Sequence, residues 1–221
     1  MKLLFIGNSY TFYHNMPVLL ENLLRENGYA ADIFSVTRGG RKLIENTATQ
    51  DECSLQLNSL LQDHFFDVVF LQEQSLLSIL DYRLFVEGVT ALAEKLAPHT
   101  SKMILYATWG RREGSPDLDS LGLSSLVMTE KISSAYERAA SLIHASVSPV
   151  GMAFAELQND CELYAEDFSH PSYIGSCLAA VIHYTTVLGM PPQKCSSLLL
   201  PPEITAKLIE TASHYTGRTE K

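Results

Sequence analysis

Short, unbroken apolar runs alternate along this chain with longer stretches of mixed polar and apolar residues. The runs cover residues 3–7, 32–36, 67–71, 103–108 and 145–150. Runs of this length without polar alternation suit strands of a sheet covered on both faces. The stretches between them, 17–27, 52–64, 82–97 and 124–144, carry helical spacing, and two more follow at 171–188 and 202–215. Their ends carry stop and start signals. Asn27-Gly28 closes the first, Pro98 follows the third, Pro171 stands at the first turn of the fifth, and Gly189-Met190-Pro191-Pro192 terminates it. Strands alternating with helices predict right-handed crossovers and a parallel sheet. The segment 111–123, rich in Gly, Ser, Pro and Asp, reads as the longest loop. With no internal repeat, low-complexity tract or linker, residues 1–221 read as a single α/β domain.

The chain has 221 residues, 46% of them hydrophobic, enough for one sizeable core. Its net charge of -9, without any basic run, argues against nucleic acid and anionic membrane surfaces as partners. No stretch approaches the ~20 apolar residues of a membrane span. The apolar run after Met1-Lys2 is too short for a secretory leader, has no small-residue cleavage site behind it, and supplies the first strand. A cytoplasmic protein is the expectation. Cys53, Cys161, Cys177 and Cys195 show neither a C-x-x-C pair nor a His spacing suited to zinc, and read as free thiols of a reducing compartment. No metal or cofactor is expected, and the oligomeric state stays open.

The chemistry begins at the end of the first apolar run, which leads directly into Gly7-Asn8-Ser9-Tyr10-Thr11. A small polar residue at a strand-to-helix turn sits where a parallel α/β sheet opens its ligand crevice. Far downstream stands Asp167-Phe168-Ser169-His170. Pro171 pushes His170 out of the helical region, and Asp167 is close enough in sequence to reach an imidazole N–H across a tight turn. Ser9, His170 and Asp167 thus offer a nucleophile, a base and an orienting carboxylate. Singly, each has a plainer reading. Ser9 suits a turn or a helix cap, Asp167 an N-cap, and His170 a helix entrance.

With Gly39-Gly40 after the second strand and Gln72-Glu73-Gln74-Ser75 after the third, these segments resemble the SGNH or GDSL-type hydrolases in order and placement. Gly7-Asn8-Ser9-Tyr10-Thr11 is similar to the family's Gly-Asp-Ser block, with Asn8 in place of Asp. Asp167-Phe168-Ser169-His170 matches its Asp-x-x-His. The third block departs: the family usually has Gly-x-Asn-Asp, whereas here Gln72 replaces the glycine and Gln74 stands where the amide donor would be. The resemblance implies a three-layer α/β/α sandwich with a parallel five-stranded, flavodoxin-like sheet in the order 2-1-3-4-5. It also implies an oxyanion hole formed by the N–H groups of Ser9 and Gly40 with the Gln74 amide. Gly40 is preferred over Gly39.

The expected activity is that of a serine esterase acting on a small-molecule ester, with a small acyl group on a sugar as the favoured substrate. The alternative is a small-molecule or carbohydrate-binding protein on the same fold that has lost turnover. A nucleotide site is disfavoured, since neither G-x-G-x-x-G nor a Walker pattern is present. Tyr10 is expected to shape the substrate pocket. Glu73 is expected to bind substrate or brace its loop. Trp109 is expected to wall the pocket or pack at the sheet edge. Arg111 and Arg112 either hold an anionic substrate group or lie on a solvated loop. His14, His64, His99, His144, His183 and His214 read as structural or surface residues.

Overall fold

The computed structural model describes residues 1–48 and 50–217. The apolar runs become five strands, β1 (Lys2–Gly7), β2 (Asp32–Thr37), β3 (Val68–Leu71), β4 (Met103–Tyr106) and β5 (Ser146–Ser148). All pair in parallel, in the order β2-β1-β3-β4-β5, with Phe5 opposite Phe70 and Tyr106 opposite Ser148. The helices are α1 (Ser9–Phe12), α2 (Met16–Glu26), α3 (Glu45–Ala48), α4 (Glu52–Asp63), α5 (Leu77–Leu80), α6 (Tyr82–Leu96), α7 (Pro116–Leu121), α8 (Ser125–Leu142), α9 (Val150–Leu157), α10 (Tyr173–Leu188) and α11 (Pro202–Ser213).

Successive strand residues point to opposite faces, and each face buries its own core. Leu3, Phe5, Phe70 and Tyr106 pack with Leu20 and Leu23 of α2, Phe154 of α9, Ile182 of α10 and Leu208 of α11. Leu4, Ile6, Leu71 and Leu105 pack with Leu57 of α4, Phe85 and Val89 of α6 and Ile132 of α8. Each such fully buried side chain contributes roughly 1.5–3 kcal/mol. The result is the expected α/β/α sandwich. Central α10 is buried from Gly175 to Thr186, which explains its almost unbroken apolar sequence. No helix among the described residues is long and apolar enough to cross a membrane.

Three expectations are corrected. The fifth strand ends at Ser148 rather than 150, because Pro149 has no N–H for the ladder, and Val150 opens α9 instead. The expected 111–123 loop contains α7, capped by the Ser115 hydroxyl with Pro116 in its first turn. The helix expected from 171 starts at Tyr173. There the Ser172 hydroxyl accepts from Gly175 N–H, while Pro171 forms an antiparallel bridge to Tyr164.

The strand order fixes the position of the site. From β1 the chain crosses to β2 at the edge, then returns past β1 to β3. A crevice opens at the carboxyl ends of β1 and β3, where the crossovers diverge. Ser9 follows β1 by two residues and Gln74 follows β3 by three.

Candidate active site

Ser9 is the first residue of α1, and the preceding Asn8 caps that helix, its Oδ1 accepting from Tyr10 N–H at 3.2 Å. Gln72 fixes the turn from below: its Oε1 accepts from Asn8 N–H and from the Thr11 hydroxyl, both at 2.9 Å. A Cβ on Gly7 would lie 2.7 Å from that same oxygen, so only glycine lets Gln72 approach. Asn8 also donates through Nδ2 to the Arg41 carbonyl at 3.0 Å. An aspartate could not make that bond, because an ionised carboxylate has no donor. Asn8 thereby ties the Ser9 turn to the Gly39-Gly40 loop.

His170 Nε2 lies 2.8 Å from Ser9 Oγ, and His170 Nδ1 lies 2.5 Å from Asp167 Oδ2. The ionised carboxylate only accepts, so Nδ1 carries the proton and the Nε2 lone pair faces the Ser9 hydroxyl. The other Asp167 oxygen accepts the backbone N–H groups of Ser169 and His170 at 3.0 and 2.9 Å, and Phe168 takes a φ of 62° to close the turn. Burial alone would raise the Asp167 carboxyl, but the bonds from His170 and from these N–H groups outweigh it and hold the carboxyl below its ordinary value. The imidazole stacks on Tyr13, with ring centres 4.3 Å apart.

Gly40 occupies the third position of a turn closed by Arg41 N–H to the Arg38 carbonyl, with a φ of 68° that favours glycine. The N–H groups of Ser9 and Gly40 have no hydrogen-bond partner among the described residues. Gln74 is oriented by its oxygen. Oε1 accepts from Leu76 N–H and Leu77 N–H, each at 3.1 Å, and so caps α5. The amide nitrogen is left toward the cleft, with a long 3.4 Å contact to Ser75 Oγ. Ser9, Tyr10, Gly40, Gln74 and His170 line one cleft of about 230 Å³.

The sequence matches no family model and no curated protein. Solved structures do match. A protein proposed to be an SGNH hydrolase, from Slackia heliotrinireducens, superposes with a TM-score of 0.75 at 29% identity, over 85% of this chain and 98% of that one. A DUF4886 family protein from Bacteroides uniformis reaches a TM-score of 0.81 at 17% identity, over 97% and 93% of the two chains. A catalytic mutant of an acetylxylan esterase from Geobacillus stearothermophilus gives a TM-score of 0.61 at 15% identity, over 83% and 93%. The chain has the fold of the SGNH/GDSL hydrolases.

Within that SGNH fold, two expected pocket residues stand elsewhere. Trp109 is fully buried between Tyr10 and Phe154 and does not line the cleft. Its indole N–H donates to the Ser169 carbonyl at 3.0 Å, so it holds the Asp167–His170 turn from behind. Glu73 is also fully buried. Its carboxylate accepts Leu43 N–H at 3.1 Å and Gln74 N–H at 2.6 Å, joining the loop after β2 to the loop after β3. Burial pushes this carboxyl up to about 7 against the pull of those two N–H groups.

Asn8, Gln72 and Ser75 carry no role in the sequence reading, and Arg111 stands there with two, holding an anionic substrate group or lying on a solvated loop, of which its burial excludes the second. Gln72 was visible as the residue replacing the family glycine, and only its contacts reveal that it holds the Ser9 turn. Arg111 is buried beside the cleft, whereas Arg112 is exposed and lies 3.8 Å from Glu162.

Proposed function

We propose that this SGNH-fold protein is a serine esterase that releases a small acyl group from a carbohydrate. The observation that carries the reading is the continuous line from Ser9 Oγ through His170 to Asp167, at 2.8 and 2.5 Å. In the proposed mechanism His170 Nε2 removes the Ser9 proton as Oγ attacks the ester carbonyl carbon. The carbonyl π electrons move to oxygen, where Ser9 N–H, Gly40 N–H and the Gln74 Nε2–H stabilise the charge. His170, now an imidazolium stabilised by Asp167, gives its proton to the leaving alcohol oxygen as the C–O bond breaks. Water repeats the sequence on the acyl-Ser9 ester and frees the acid. The small cleft and the acetylxylan esterases among the structural neighbours support a short acyl group and a sugar alcohol.

A fluorophosphonate probe tests the reading. Labelling is expected at Ser9 by peptide mass spectrometry and is expected to vanish in Ser9→Ala. Acetate release from acetylated xylo-oligosaccharides should then exceed hydrolysis of p-nitrophenyl decanoate. A folded protein that neither reacts with the probe nor hydrolyses any ester would be a binding protein instead.

A further inference from the structure

Beside Gln74 the cleft holds a cation that the esterase mechanism does not use. Arg111 is only 6% exposed, yet it lines the cleft together with Ser9, Gln74 and His170. Its Nε donates to Asp117 Oδ2 at 2.7 Å, Nη2 donates to Ser75 Oγ at 3.1 Å, and Nη1 donates to the Tyr10 hydroxyl, which also shares a hydrogen bond with Ser169 Oγ. A guanidinium has five N–H donors. Three are engaged, and one on each Nη has no partner among the described residues. The charge is also poorly compensated. Tyr10 and Ser75 are neutral, and Asp117, with 47% of its side chain exposed, touches Nε through a single oxygen. A largely buried cation with spare donors is a costly arrangement unless an anion completes it.

We infer that Arg111 binds a carboxylate carried by the substrate, so that the ester cleaved at Ser9 is an acidic one. This rests on the esterase reading and names its substrate class. A planar guanidinium with two free N–H groups matches a carboxylate in shape and number. A doubly charged phosphate would call for a second cation. Among the described residues lining the cleft, Arg111 is the one permanently charged side chain.

Two pairs of esters test it and locate the acid. 3-Acetoxybenzoate against 3-acetoxybenzamide places the carboxylate on the alcohol side. Monophenyl glutarate against phenyl pentanoate places it on the acyl side. In at least one pair kcat/KM should favour the acid by about tenfold or more, the range expected of a charge-assisted bond. Arg111→Gln should bring that ratio close to one. Asp117→Asn, which removes a half-exposed competing carboxylate, should raise it. Equal kcat/KM within both pairs for the parent protein overturns the inference, as does an Arg111→Gln protein that keeps the ratio. If Arg111→Gln does not fold, Asp117→Asn decides, and an unchanged ratio counts against Arg111. If no ester is turned over and the probe fails to label Ser9, the esterase reading falls by itself. Calorimetric binding of 3-acetoxybenzoate and 3-acetoxybenzamide to Ser9→Ala protein then judges Arg111 alone. Tighter binding of the acid, lost on adding Arg111→Gln, upholds the inference, and equal binding overturns it.

Discussion

Gln74 divides its labour between its two polar ends: the oxygen caps α5 and the nitrogen faces the cleft. Two substitutions separate these roles. Gln74→Glu keeps an oxygen for Leu76 and Leu77 N–H but removes the donor and adds negative charge, so kcat should fall by at least 10²–10³-fold with a near-parental melting temperature. Gln74→Ala loses both ends, and should show a similar loss of kcat together with about 0.5–2 kcal/mol of stability. Steady-state kinetics and thermal melts on the same samples check this, and a Gln74→Glu protein with parental kcat would remove Gln74 from the oxyanion hole. Ser9→Ala and His170→Ala should each abolish most turnover. The double variant should be little slower than either, because the pair acts as a unit, and additive losses would contradict that coupling.

At the scale of elements, the site depends on loops being tied to one another from beneath. The turn from Asp167 to His170 has cross-loop support from Trp109, whose indole N–H reaches the Ser169 carbonyl, and from Arg112 N–H, which donates to the Phe168 carbonyl. Trp109→Phe retains a ring between Tyr10 and Phe154 and deletes that bond. It should cost about 1–3 kcal/mol of stability and lower kcat, with fluorophosphonate labelling of Ser9 slowed in proportion. Glu73 ties the loop after β2 to the loop after β3, and its carboxyl is raised from 4.5 to about 7 in the fold. The folded protein therefore holds this proton more tightly than the unfolded chain does. That contribution to stability is fully present below about pH 4.5 and is lost as pH rises through about 7. Urea unfolding of the parent and of Glu73→Gln should diverge across this window by about 3 kcal/mol, the parent losing ground as pH increases. Parallel pH profiles for the two proteins would show that Glu73 does not titrate there.

Across the whole molecule, the core itself carries a titrating group. His183 of α10 is fully buried against the rings of Phe5, Phe70 and Tyr106, with Nδ1 2.8 Å from Ser148 Oγ and Nε2 without a partner among the described residues. Burial pushes its pKa from 6.5 down to about 3. Here the unfolded chain takes up the proton first. The stabilisation is complete above about pH 6.5 and drains away as pH falls toward 3. It opposes the Glu73 effect between about pH 4.5 and 6.5. His183→Phe should suit the aromatic surroundings and gain stability over the parent by a few kcal/mol as the solution is acidified. Identical acid unfolding midpoints for the two proteins would exclude His183 as the acid-sensitive group.

The order and character of the chain's segments determined much of this protein. Unbroken apolar runs at β1, β3 and β4 require cover on both faces. Asp167 and His170 stand three residues apart, where a turn alone can join carboxylate to imidazole. Ser9 follows directly from the first strand, and that order places it at the sheet's carboxyl edge. Boundaries were less legible. Pro149 and Ser115 act through the backbone bonds they refuse or accept, and those depend on neighbours as much as on identity. What the tertiary structure alone decided is how polar side chains are shared. Trp109 and Glu73 have the chemistry of pocket residues, yet the fold turns both inward as braces. Arg111 has the composition of a surface loop, yet the fold buries it beside the cleft. Burial and partners are properties of residues distant in sequence, such as Trp109 with Ser169 and Arg111 with Tyr10. Local pattern sets which segments form, and only the closure of the sheet and its crossovers brings such pairs within hydrogen-bonding distance.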